Sequence, residues 1–194
     1  MITASQVNEL RQITGVGMME CKKALTESKG DMDKAVKVLR ESGAAKAAKR
    51  AERVAKEGTL GVYVHANQKI VAIVELNCET DFVARNEEFI ALAKDFAMQV
   101  AAMNPPYTKP EDVPAEVLEQ EKDIYRKELA NDKKPANIVD KIVEGKLNKF
   151  YSENCLLKQV SIKDEKQTIE QMLNAYIAKV GEKIQIGRVQ RLAI

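Results

Sequence analysis

The residues able to do covalent chemistry are few and poorly spaced for it. The chain holds one histidine, His65, and three cysteines, Cys21, Cys78 and Cys155. One imidazole without an assigned partner makes no triad, and His65 reads as a structural or exposed residue of a strand. Cysteines this far apart form no CxxC pair, no zinc ligand set and no disulfide framework. An odd number of scattered thiols suits a reducing compartment. Gly15-Val16-Gly17 is not a phosphate loop, because no strand precedes it and no Gly-Lys-Ser/Thr follows. A helix–helix turn that uses glycine's positive φ accounts for it. Acidic residues are numerous but spread along solvated faces, so no catalytic pair stands out. No enzyme is visible, and neither a metal nor a cofactor is expected.

Two segments invite a binding reading instead. Lys46, Lys49, Arg50, Arg53 and Lys56 form a basic stretch, but it lacks interleaved aromatics and is interrupted by Glu52 and Glu57. A solvated connecting helix explains it without a partner. With 31 basic against 29 acidic residues, the net charge of +2 leaves no global footprint of a nucleic-acid binder. The second segment, NCETDFVARNEEF from Asn77 to Phe89, is less easily explained. Thr80 and Asp81 suit the capping of a short turn. Phe82 stands outside the apolar stripe that begins at Phe89, and two readings stay open: a core side chain, or an aromatic that anchors a partner.

The elements that must position these residues are legible from their ends. Thr3 and Gln6 form a capping box with Ile2 and Val7 as a hydrophobic staple, opening a helix with Val7, Leu10 and Ile13 on one stripe. Met18, Cys21 and Leu25 line a second helix ended by Gly30. Asp31 caps a third, with Ala35, Val38 and Leu39 inward and Gly43 as its stop. The Ala-rich basic stretch 44–57 is then a connecting helix. Leu60–His65 alternates as a strand, and Ile70–Leu76 is apolar on both faces, as a central covered strand would be. Asn86 caps a long helix with Phe89, Leu92, Phe96, Val100 and Met103 on its buried side. A proline-rich break leads to two amphipathic helices, about 114–130 and from Pro135, joined by the NDKKP turn as a projecting hairpin. Thr168 and Gln171 open a last helix that Gly181 stops, and IQIGRVQRLAI reads as a third strand. The fold class is α+β, and a 45% apolar share over 194 residues is enough for a real core. The N-terminus lacks a signal-peptide layout and no apolar run is membrane-spanning in length, so a cytoplasmic protein is expected.

CETDFVARNEEF closely resembles the Thr-Asp-Phe-Val segment of the elongation factor Ts family. Independently, LRQITGVGMMECKKALTESKGDMDKAVKVLRESG resembles that family's N-terminal, ubiquitin-associated-type three-helix domain. The later order also matches: strand hairpin, long helix, helical hairpin with KIVEGKLNKFY, closing strand. The resemblance spans essentially the whole chain and divides it into a ubiquitin-associated-like domain (1–43), a basic linker helix (44–57) and a core or dimerisation domain (58–194), with the hairpin at about 112–151. It implies a guanine-nucleotide exchange factor for elongation factor Tu. Arg11, Met18 and Met19, and more weakly Lys22, would dock on the partner's nucleotide-binding domain. Thr80, Asp81, Phe82 and Val83 would form the wedge that displaces the partner's magnesium and loosens its phosphate loop.

In one respect the chain departs from some family members, which carry a second, related half in the core. A single small sheet here would leave an apolar face open, with Val71 and Ile73 as candidates to line it, and a homodimer of stacked sheets is the expectation. The rival readings are an RNA-binding or scaffolding protein with a ubiquitin-associated-like domain, and a small enzyme whose site forms only on folding. Neither accounts for both motifs.

Overall fold

The computed structural model describes residues 2–50, 52–129 and 135–194. Among them the order is α1 (Ala4–Thr14), α2 (Met18–Glu27), α3 (Met32–Arg50), β1 (Glu57–Val64), β2 (Ile70–Cys78), α4 (Asp81–Ala84), α5 (Glu87–Met103), α6 (Ala115–Leu129), α7 (Ala136–Asn154), α8 (Ile169–Val180) and β3 (Gln185–Ala193). The class is α+β, and the strands form an antiparallel sheet in the order β1-β2-β3.

The helix starts are set by local hydrogen bonds. Both expected capping boxes are present, at Thr3/Gln6 and at Thr168/Gln171. The Asn86 side chain accepts the N–H of Glu88 at 2.9 Å, and Asp31 that of Lys34 at 3.0 Å. Each interaction satisfies a donor that helix geometry leaves free. Gly15 ends α1 at φ 67°, the positive value expected of that turn.

Gly43 does not stop the third helix. α3 runs through it to Arg50, and the basic stretch beyond Glu52 is turn and irregular chain rather than helix. The reason is tertiary: a Cβ on Gly43 would lie 3.3 Å from the Ala178 Cβ, so the glycine marks where α3 and α8 approach closely. β1 likewise begins earlier than expected, because Glu57 already pairs with Cys78.

The main core lies between one sheet face and α5 and α8. Ala72, Val74 and Leu76 of β2 meet Phe89, Ala93, Phe96, Ala97 and Val100 of α5 and Leu173 and Ile177 of α8. Alanines at 93, 97 and 101 put the buried stripe of α5 on their side, and Met103, expected inward, is 49% exposed. A second core of Val7, Leu10, Val16, Cys21, Ala24, Leu25, Ala35 and Leu39 holds α1–α3 together. Ile13 stays outside it. Ala178 of α8 packs against this second core and Ala47 of α3 against the first, so the α3–α8 contact joins them.

α6 and α7 form the expected pair. Tyr107 bridges to Cys155 at its base, and the Lys146 ammonium lies 5.1 Å from the Tyr125 ring and reaches Glu128, so the two helices run in opposite directions. No described residue of α6 is buried, which leaves the pair weakly held by packing. The NDKKP turn falls on residues 131–135, of which 131–134 lie outside the described residues.

Candidate functional site

The Thr80–Val83 segment is a short turn of helix at the end of the central strand. β2 delivers Cys78 into the core, and Thr80, in extended conformation (φ −124°, ψ 153°), starts the four-residue α4. Within that turn successive side chains point different ways. Val83 packs against the main core, and Asp81 pairs with Arg85 at 3.2 Å on the surface. Phe82 is 84% exposed, so of its two readings the core one is excluded in this structure. A large apolar ring presented to water by an ordered turn is the kind of group that anchors an interface.

The turn is held from an unexpected direction. One Glu182 carboxylate oxygen accepts the backbone N–H groups of Glu79 and Thr80, each at 3.1 Å. Its other oxygen accepts the Thr80 hydroxyl at 2.6 Å. The Glu79 carboxylate answers by accepting the N–H of Lys183 at 2.6 Å and a guanidinium proton of Arg53 at 3.3 Å. The Lys183 N–H, helped by Arg53, holds the Glu79 carboxyl below its ordinary value. Behind the turn, burial and then the Glu182 charge push the Cys78 thiol up to about 11. Its S–H donates to the Thr80 carbonyl at 3.2 Å. Glu182, Glu79, Lys183 and Arg53 were not singled out by sequence reading. No spacing rule links positions about a hundred residues apart, and Arg53 counted there only as part of a basic stretch.

The other predicted site residues lie on the N-terminal helices. Arg11 on α1 and Met18, Met19 and Lys22 at the start of α2 are all exposed. Met18 is 47% and Met19 77% exposed, an unusual pair of surface thioethers while Cys21, one turn on, is fully buried. Among the described residues, no hydrogen bond or ion pair links Arg11, Met18, Met19 or Lys22 to the Phe82 turn. His65 meets the Tyr63 hydroxyl at 3.2 Å and is exposed. The three thiols are buried, and no group of metal-ligating side chains is found among the described residues. None of the described helices is long and apolar enough to cross a membrane.

The described chain is thus an α+β core with a pair of helices, three N-terminal helices and an aromatic side chain exposed on a short turn. The elongation factor Ts family model matches residues 3–176. The chain is 58% identical to an elongation factor Ts of Maridesulfovibrio salexigens over 98% of its length and 93% of the relative's. It is 55% identical to one of Thermosipho melanesiensis, covering 100% of this chain and 99% of that one, and 53% identical to one of Geobacter sulfurreducens, covering 100% and 89%. The chain belongs to the elongation factor Ts family of translation elongation factors.

Proposed function

We propose that this protein binds elongation factor Tu in the cytoplasm and promotes release of its GDP, without covalent chemistry of its own. The observation that carries the reading is the exposure of Phe82 on a turn fastened to the fold by its neighbours. In this reading Thr80, Asp81, Phe82 and Val83 form the wedge, with Phe82 as the inserted ring and Val83 as the root in the core. Arg11, Met18, Met19 and Lys22 dock the N-terminal helices on the same nucleotide-binding domain. Magnesium bridges phosphates and protein in such a domain, so displacing it removes a large electrostatic attraction. By linkage, the factor by which the exchanger weakens nucleotide binding is the factor by which nucleotide weakens exchanger binding. The exchanger therefore leaves when GTP arrives.

The test is release of labelled GDP from purified elongation factor Tu by the wild-type protein and by Phe82→Ala. Loss of a hot spot of ~2 kcal/mol lowers exchange by tenfold or more. Because the ring is exposed, the variant should melt like the wild type. No acceleration by the wild type would refute the function, and full activity of Phe82→Ala would refute the wedge.

One further observation favours a homodimer. Leu60, Val62 and Val64 of β1 pair with Glu75, Ile73 and Val71 of β2, and Val71 pairs in turn with Leu192 of β3. These side chains share the sheet face opposite the helices, and Leu60, Val62, Val64 and Leu192 are exposed there while Val71 and Ile73 are half-buried. Two such faces stacked about a twofold axis would cover each other.

A further inference from the structure

We propose that Glu182 is a positioning residue for nucleotide exchange, setting the conformation of the turn from which Phe82 projects. The inference rests on reading that turn as the wedge. α4 cannot hold itself. It is four residues long, below the length at which helix formation is self-sustaining, and its own cap is weak, with the Val83 N–H 3.5 Å from the Thr80 hydroxyl oxygen. The anchor comes instead from the connection between α8 and β3. α8 is fixed in the main core through Leu173, Tyr176 and Ile177, and Gly181 ends it in the left-handed conformation at φ 77°. The next residue, Glu182, is thereby delivered to Thr80.

Three hydrogen bonds converge on that one carboxylate. Two come from consecutive backbone N–H groups, which orients both peptide planes leading into the turn. The third turns the Thr80 hydroxyl proton toward Glu182 and leaves the hydroxyl oxygen facing the Val83 N–H. The contact is reciprocal, since Glu79 accepts the Lys183 N–H, so the two loops cannot slide past one another without breaking both sets. Glu182 has no contact with the Phe82 ring among its hydrogen bonds and acts through Thr80. Without it, the turn would have to be ordered at the interface, and the ordering cost would come out of binding.

The experiment measures GDP release from elongation factor Tu as a function of exchanger concentration, with melting temperatures, for wild type, Glu182→Ala, Glu182→Gln, Thr80→Val, Phe82→Ala and Glu182→Ala/Phe82→Ala. Bonds to a charged acceptor are worth enough that Glu182→Ala should lower exchange at sub-saturating concentration about tenfold. Glu182→Gln, which keeps an acceptor oxygen, should recover part of it. In the Phe82→Ala background the same change should cost less than about twofold, because the ring it positions is already gone. A folded Glu182→Ala with wild-type exchange overturns the proposal. So does an equal loss with and without Phe82, which would make Glu182 a general support of the fold. If Glu182→Ala does not fold, Thr80→Val removes the hydroxyl arm to Glu182 together with the weak Val83 cap and should still reduce exchange, and an unchanged rate overturns the proposal. Failure of the wild type to release GDP at all would instead remove the wedge reading itself.

Discussion

At the scale of single residues, the site depends on three neighbours with three different fates. Val83 roots in the core, Asp81 pairs with Arg85 at the surface, and Phe82 stays in water at 84% exposure. Leaving that ring in water is unfavourable for the free protein, and in the proposed reading the cost is recovered when the partner covers it. Glu79 offers a pH test of the turn's support. Its carboxyl is held below its ordinary value of 4.5, so the charged form is stabilised in the fold more than in the unfolded chain. The contribution is therefore complete above that ordinary value and is lost as pH falls through the lower folded value. Thermal melts of wild type and Glu79→Gln should differ near neutrality and converge in acid. A difference that persists unchanged into acid would exclude the carboxylate as its source.

At the scale of elements, close backbone approach decides what packs where. β1 lies against α5 because Gly61 has no side chain: a Cβ there would sit 2.0 Å from the Ala93 carbonyl oxygen. Gly61→Ala must push the helix off the strand or bend both, and overpacking of this kind costs about 1–3 kcal/mol. Chemical denaturation should show the loss as a lower midpoint with an unchanged slope. α5 is also the helix directly after the Phe82 turn, so a shift there would be felt at the site, and exchange should fall together with stability. Phe82→Ala should separate the two, lowering exchange alone. The helix starts behave more simply, because their caps reach only two or three residues along the chain.

At the scale of the whole molecule, α3 packs on α8 at Gly43 and Ala178 and so brings the N-terminal helices against the core. In the proposed reading both patches, Phe82 and the Met18–Met19 pair, face the same partner domain. What remains open is the outer sheet face. Sedimentation at micromolar concentration should give a dimer for the wild type. Val62→Lys places a charge on that face at a position already 45% exposed, so it should give a folded monomer. A wild-type monomer would refute the homodimer, and a dimer unaffected by Val62→Lys would place its interface elsewhere.

The sequence by itself determined the caps at Thr3, Asp31, Asn86 and Thr168, the strand order along the chain, the α+β class and the unusual character of the Thr80–Val83 segment. These are local matters: a cap joins residues two or three apart, and hydrophobic period follows from helix and strand geometry. Tertiary structure alone decided that Phe82 faces water, since position outside a stripe leaves both core and surface open. It also decided that α3 passes through Gly43, where a local helix-stop signal is overridden by packing on Ala178. The support of the turn by Glu182 was beyond sequence reading for a related reason. A hydrogen bond from Thr80 to a side chain 102 residues away depends on where α8 ends in space, and no local propensity carries that information.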